Sequence, residues 1–142
     1  MTANAQPDCV FCQIAAGTLP ADVIFADDRV VAFLDARPVF KGHTLVVPRP
    51  HVAAFAALSP DALTALFTTA QRMSAAVEVG LQADGTFVAM NDKVSQSVPH
   101  VHVHVVPRRR KDGLRGFFWP RVRYEDAAEQ STYAARIRAA LT

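Results

Sequence analysis

From 59 to 81 the apolar residues Leu63, Leu66, Phe67, Ala70, Met73, Ala76 and Val77 return every three or four positions, which predicts one face of a long helix. Ser59 stands where an N-cap belongs, and Pro60 takes the first helical position, where its missing N–H costs nothing. Gly80 is the expected stop. Elsewhere the apolar runs are short and bounded by turn formers, as strands are. "DVIFADD" (22–28) and "RVVAFLD" (29–35) predict a hairpin turning at Asp27–Asp28. "HTLVVP" (43–48) predicts a strand stopped by Pro48, which has no amide hydrogen for a sheet. "TFVAMN" (86–91) and "VHVHVVP" (101–107) predict two more. "FCQIAAG" reads as a short helix ended by Gly17, where a left-handed cap is cheap. The closing helix is expected over 124–142, with Tyr133, Ile137 and Leu141 on one side. About five strands joined by tight turns, with a long central helix and a C-terminal helix, give an α+β fold with an antiparallel sheet.

Length and charge narrow the class. At 142 residues the chain is read as one domain, 1–142, with a flexible leader at 1–8 and a C-terminal extension at 108–142. It is 51% hydrophobic and 20% charged, which excludes a disordered chain. No apolar run is long enough to span a membrane, and the leader lacks the pattern of a signal peptide, so a cytoplasmic location is expected. A net charge of +2 is too small to argue for nucleic acid. The tract "PRRRK" (107–111) either attracts phosphate or is a solvated edge.

The chemistry concentrates at 100–104, where three of the five histidines alternate with valine. On a strand His100, His102 and His104 share one face, and Val101, Val103 and Val105 turn to the other, toward the helix. Alternate strand residues stand roughly 6.7 Å apart, so roughly 13 Å separates His100 from His104. Zinc–nitrogen bonds are only about 2 Å, so one metal does not reach all three rings and they divide the labour. Neighbouring imidazoles repel when protonated, which helps keep one neutral and nucleophilic. A second, protonated, could serve a phosphate or a leaving group, an arrangement suited to attack on phosphorus. The plainer reading is a polar row that titrates near neutral pH. "DCVFC" sets Cys9 and Cys12 in a C-x-x-C pair, read as metal or redox chemistry or as reduced buried thiols. Such a pair supplies two of the four ligands of a tetrahedral zinc.

"HVHVHVV" (100–106) resembles the His-x-His-x-His-x-x signature of the histidine-triad superfamily of nucleotidyl hydrolases and transferases. "GHTLVVPRPH" (42–51) and "QSVPH" (96–100) are similar to its flanking segments, and the likeness covers about 9–120. The resemblance implies a five-stranded antiparallel sheet with a long helix, paired as a two-fold homodimer whose sheets join. It implies a purine nucleotide substrate and release of a nucleoside monophosphate, AMP foremost, from a phosphoramidate or dinucleoside polyphosphate. The intermediate would be a covalent nucleotidyl-histidine, with no nucleic acid or membrane partner. By position, His102 is the nucleophile, His104 contacts the transferred phosphate and His43 buttresses the triad. Asp35 binds the ribose hydroxyls, and Asn91, Gln96 and Ser97 line the phosphate site. Phe11, Ile14, Phe33 and Leu45 wall the base pocket. A structural zinc is implied on Cys9, Cys12, His51 and His100.

Two stretches depart from the family's pattern. "DKVSQSVP" (92–99) has no glycine where a glycine-rich phosphate loop is usual, and Lys93 either compensates by charge or is solvated. The tail "GLRGFFWPRVRYEDAAEQ" (113–130) extends past compact members, and Phe117, Phe118 and Trp119 either close over the pocket or dock the terminal helix. A nucleotidyltransferase or phosphorylase is the nearest rival function; uridylyl relatives tend to carry glutamine at the place of His104, so the third histidine leans toward hydrolysis. A regulatory nucleotide-binding protein and a zinc metallohydrolase are the further readings.

Overall fold

The computed structural model describes residues 5–115 and 121–142, so Phe117, Phe118 and Trp119 lie outside the described residues. The chain divides into two compact units, 1–112 and 113–142. The first holds α1 (Val10–Ala16), β1 (Val23–Ala26), β2 (Val30–Leu34), β3 (Thr44–Pro48), α2 (Pro60–Leu81), β4 (Gly85–Ala89) and β5 (Val103–Arg108). The strands form one antiparallel sheet in the order β1-β2-β3-β5-β4, so the fold is α+β as the run lengths predict. Among the described residues no helix is long and apolar enough to cross a membrane.

The two-residue period of the strands sorts their side chains into two cores. Ala32, Val46, Val103 and Val105, with Val101 just ahead of β5, pack on Leu66, Ala70, Met73 and Val77 of α2. Val31, Phe33, Leu45 and Val47 turn the other way and pack on Phe11 of α1. Full burial of one such side chain is worth about 1.5–3 kcal/mol, so both faces are firmly held. His104 pairs across β3 with Leu45 and so belongs to the α1 face.

Helix α2 begins as its sequence predicts, with the Ser59 hydroxyl accepting from the Ala62 amide at 3.1 Å. Its end differs. The helix runs past Gly80 to Leu81, and Gln82 is the left-handed cap at φ 53°. The guanidinium of Arg109 donates to the Leu81 and Gln82 carbonyls at 2.6 and 2.5 Å, meeting the negative end of the helix. Arg108 pairs with Asp112 at 2.6 Å, so two arginines of the 107–111 tract have structural partners. The buried face is also rotated. Leu63, Phe67 and Ala76 are exposed and Thr69 is buried, because the line nearest the sheet runs through Leu66, Ala70, Met73 and Val77. Phe67 instead meets Phe55 edge to face at 6.2 Å.

Three turns prepare the site. Gly17 caps α1 in the left-handed region at φ 77°, as expected. Gly42, at φ 100°, lets the β2–β3 connection approach α2 just before His43, since a Cβ there would collide with Leu81. In the glycine-free segment after β4, Lys93 and Ser95 themselves adopt φ of 67° and 58°. Each such residue costs roughly 1–2 kcal/mol, which side chains of the segment offset. Asn91 donates to the Ser95 carbonyl at 3.1 Å, and Gln96 accepts from the Lys93 amide at 3.1 Å while donating to the Ala53 carbonyl at 2.9 Å. At the N-terminus, Gln6 and Pro7 are tied to α1: the Gln6 amide donates to Cys12 Sγ and Gln13 donates to the Pro7 carbonyl.

The second unit is described by α3 (Ala127–Ala140), three residues shorter at its start than the periodicity predicts. Asp126 caps it through the Glu129 amide at 2.8 Å, and Glu129 reaches back to the Glu125 amide at 3.0 Å, a capping box that fixes the first turn. Tyr133 lies against Tyr124, with ring centroids 5.6 Å apart.

Candidate active site

Cys9 caps α1 and Cys12 follows three residues later, which puts both sulfurs on one side of the helix. They meet His51, from the segment after β3, and His100, from the approach to β5. One ligand atom of each of the four lies within 4.8 Å of the others. His100 is fully buried, and its Nε2–H donates to the Pro48 carbonyl at 2.7 Å. Its lone pair is therefore on Nδ1, which stands 3.4 Å from Cys9 Sγ and 3.5 Å from Cys12 Sγ. His51 Nδ1 is 3.4 Å from Cys12 Sγ. A tetrahedral zinc with the usual bond lengths spaces sulfur and nitrogen ligands about 3.6 Å apart, so this set fits one zinc ion. Burial pushes His100 down to about 4, holding it in the neutral form a metal needs. Burial pushes the Cys12 thiol up, against the Gln6 amide, and Cys9 adds to the rise.

The other two rings gather around His104, whose centroid lies 4.9 Å from that of His102 and 5.1 Å from that of His43. His102 Nδ1–H donates to the His100 carbonyl at 2.8 Å, which leaves the lone pair on Nε2. For His104 the order reverses. The Val39 amide donates to His43 Nδ1 at 3.1 Å, so the His43 proton is on Nε2 and is donated to His104 Nδ1 at 2.9 Å. The His104 proton is therefore on Nε2. Two members of the triad hold opposite tautomers, each set through a main-chain group. Burial, with His102 and His43 as neighbours, pushes His104 down to about 4. Burial also lowers His43, against Asp35, whose Oδ2 lies 3.7 Å from His43 Nδ1.

Asp35, His43 and His104 also place ligand atoms within 4.8 Å of one another. They do not fit a metal. The Val39 amide occupies the Nδ1 lone pair of His43, and the His43 proton occupies that of His104. The structure thus separates the five histidines into a cluster suited to a metal and a cluster wired by protons.

A cavity of about 790 Å³ opens over the second cluster. Phe11, Ile14, Phe33 and Leu45 line it together with Asp35, Ser97, His102 and His104. Asn91 and Gln96 are not among its lining residues; their side chains staple the 91–97 segment. Val10, Leu19 and Val98 add apolar wall, and Arg37 and Lys41 add charge, none of which sequence reasoning singled out. Val10 opens the helix that carries Phe11 and Leu19 follows its cap, a signal that was there to be read.

The buried neutral rings make acid the weak side of the fold. His100 and His104 hold values of about 4 against an ordinary 6.5, so between those limits the unfolded chain binds more protons than the folded one. Their contribution is whole above pH 6.5 and is lost as pH falls toward 4. Metal-free protein is expected to melt at steadily lower temperature from pH 7 to pH 5. A melting midpoint that stays put across that interval would show that the rings are not held neutral by burial.

Comparison with known proteins gives one consistent picture. A family model described as the HIT domain matches residues 16–111. A HIT-like protein of Mycobacterium tuberculosis is 43% identical over 108 residues, 75% of each chain. An adenylylsulfatase of Arabidopsis thaliana is 29% identical over 115 residues, 80% of this chain and 58% of that one. The crystal structure of a HIT family member from Bacillus subtilis matches with a TM-score of 0.86 at 29% identity, covering 95% of this chain and 98% of that one. A Zn-bound histidine triad family protein from Mycobacterium smegmatis matches at 0.73 and 36% identity, covering 94% and 98%.

Proposed function

The chain belongs to the HIT domain family, and from that premise we propose that it is a hydrolase releasing a nucleoside monophosphate, AMP foremost, through a nucleotidyl-His102 intermediate. The substrate would be a phosphoramidate or a dinucleoside polyphosphate. The observation that carries this reading is the tautomer of His102: with Nδ1–H on the His100 carbonyl, the lone pair of Nε2 is free to attack. The adenylylsulfatase among the relatives supports hydrolysis at an adenylyl group.

The cavity volume suits a nucleotide, and its mixed lining gives each part of one a partner. Phe11, Ile14, Phe33 and Leu45 take the flat apolar base. Asp35 accepts from the ribose hydroxyls. Nε2 of His102 attacks phosphorus as the bond to the leaving group breaks, and the positive charge that develops on the ring is steadied at Nδ1 by the His100 carbonyl. His104 Nε2–H, aimed by His43, donates to a phosphoryl oxygen as charge builds there, and the Ser97 hydroxyl is a second donor. Water then attacks phosphorus, the bond to Nε2 breaks, and the monophosphate leaves. His104 serves as a neutral donor in this scheme and not as the protonated ring that the alternating pattern suggests.

Zinc on Cys9, Cys12, His51 and His100 would supply charge to hold two thiolates and brace the chain around the site; four protein ligands leave no position for water. Pairing of two chains would cover Phe55, Phe67 and Val88, which are exposed near the edge strand β4, and we expect a two-fold dimer through that side.

The test is AMP release from adenosine phosphoramidate, a lysyl-type AMP conjugate, and diadenosine tri- and tetraphosphate, each with and without inorganic phosphate. Release without phosphate is expected, and the preferred compound names the leaving group. Release that requires phosphate makes the protein a phosphorylase. Tight AMP binding with no release from any of the four leaves a regulatory binding protein.

A further inference from the structure

Helix α1 is only seven residues long, too short to hold its shape alone, yet it serves two sites at once. Cys9 and Cys12 face the cluster that fits zinc, while Phe11 and Ile14 line the cavity. The Phe11 ring stands 6.0 Å from His100, 5.0 Å from His102 and 5.6 Å from Phe33, so it lies between the two clusters. His100 makes a second bridge. Its ring offers Nδ1 to the sulfurs while its own carbonyl receives the His102 proton.

We propose that metal binding and nucleotide binding are coupled in this protein, with Cys9 and Cys12 as positioning residues that fasten α1, and with it the Phe11 and Ile14 wall, over the nucleotide. The proposal rests on reading the cavity as a nucleotide site. Two ligands that order the same short helix must favour one another by the same factor, since a coupling free energy is shared between its sites. The metal fixes α1 from one side and a base stacked on Phe11 fixes it from the other. Loss of the metal frees the helix and loosens His100, and the pocket loses a wall and the stay of His102 together. The core between the sheet and α2 is not needed for this change, because it holds no residue of α1, whereas the opposite core shares Phe11 with the helix and loosens with it.

The experiment is a pair of titrations on the full chain. AMP affinity is measured calorimetrically for zinc-loaded and chelator-stripped protein, and zinc affinity is measured against a competing chelator with and without saturating AMP. AMP is expected to bind about 5- to 150-fold more weakly to the stripped form, and AMP to tighten zinc by the same factor. Equal AMP affinity in both forms, with the far-ultraviolet dichroism unchanged, overturns the proposal. So does a zinc affinity indifferent to AMP, a measurement that stands even where stripped protein unfolds. His51→Ala separates the metal from the pocket, because His51 is not among the residues lining the cavity. That variant is expected to bind AMP weakly at limiting zinc and normally at excess zinc; weak binding that excess zinc does not restore counts against the coupling. Should loaded protein bind neither AMP nor GMP, the nucleotide reading fails on its own. Amide exchange in 10–16 then decides the rest: slower exchange with zinc supports the fastening of α1, and an unchanged rate rejects it.

Discussion

His102→Ala is expected to lower turnover by roughly 10⁴-fold or more while AMP affinity changes only a few-fold. The asymmetry follows from the geometry. The side chain contributes one ring edge to a cavity whose apolar wall comes from Phe11, Ile14, Phe33 and Leu45, so most contacts to a bound nucleotide survive its loss. What does not survive is the Nε2 lone pair, and no neighbour can replace it. His100 presents its lone pair to the sulfurs, and His104 has its lone pair engaged by His43. Rapid acid or denaturant quenching of wild type with labelled substrate should trap nucleotide on the protein, and the variant should trap none. His102 is 3% exposed, so truncation leaves a hole and lowers stability; far-ultraviolet dichroism at the assay temperature separates that loss from lost chemistry. An active His102→Ala protein would refute the covalent route.

How much of this was legible in the chain depends on whether side chains or main-chain groups do the work. The sheet, its two-sided packing and the face shared by His102 and His104 follow from a period of two, which a sequence displays directly. So does the start of α2, because Ser59 and Pro60 act locally. The end of α2 was not legible: Gln82 takes the left-handed cap because Arg109, 27 residues on, satisfies the last carbonyls, while Gly80 sits inside the helix. The burial of α2 could not be read to the residue either, since Leu63 and Phe67 match the period and lie on the flank. In the site, residue types pointed to a metal set and a phosphate set. The protons did not follow from them. The carbonyls of Pro48 and His100 and the amide of Val39 decide which nitrogen of each ring is free, and a main-chain group carries no signature in a sequence. The glycine-free segment teaches the same lesson, since Lys93 and Ser95 adopt the conformations that glycine would favour once Asn91 and Gln96 bind them there.

Those main-chain settings make the second large expectation. His104→Ala is expected to cost 10²- to 10³-fold in kcat, the usual loss for one donor to a developing phosphoryl charge. His43→Leu should cost nearly as much, although His43 is not among the cavity-lining residues. Without its Nε2–H, nothing holds the His104 proton on the far nitrogen, and the ring is free to turn its acceptor toward the phosphate. His43→Gln tells the two explanations apart. A carboxamide can accept from the Val39 amide through its oxygen and donate to His104 Nδ1 through its nitrogen, repeating both contacts of the imidazole. If His43 acts by fixing a tautomer, glutamine restores much of the lost rate and leucine restores none. Nitrogen-15 spectra of the histidines supply the readout that packing alone would not move. Wild type should show His102 protonated at Nδ1 and His104 at Nε2, and His43→Leu should turn His104 into a mixture while leaving His102 unchanged. A His104 still wholly protonated at Nε2 in the leucine variant would mean that some other contact sets it, and that His43 matters only for filling space.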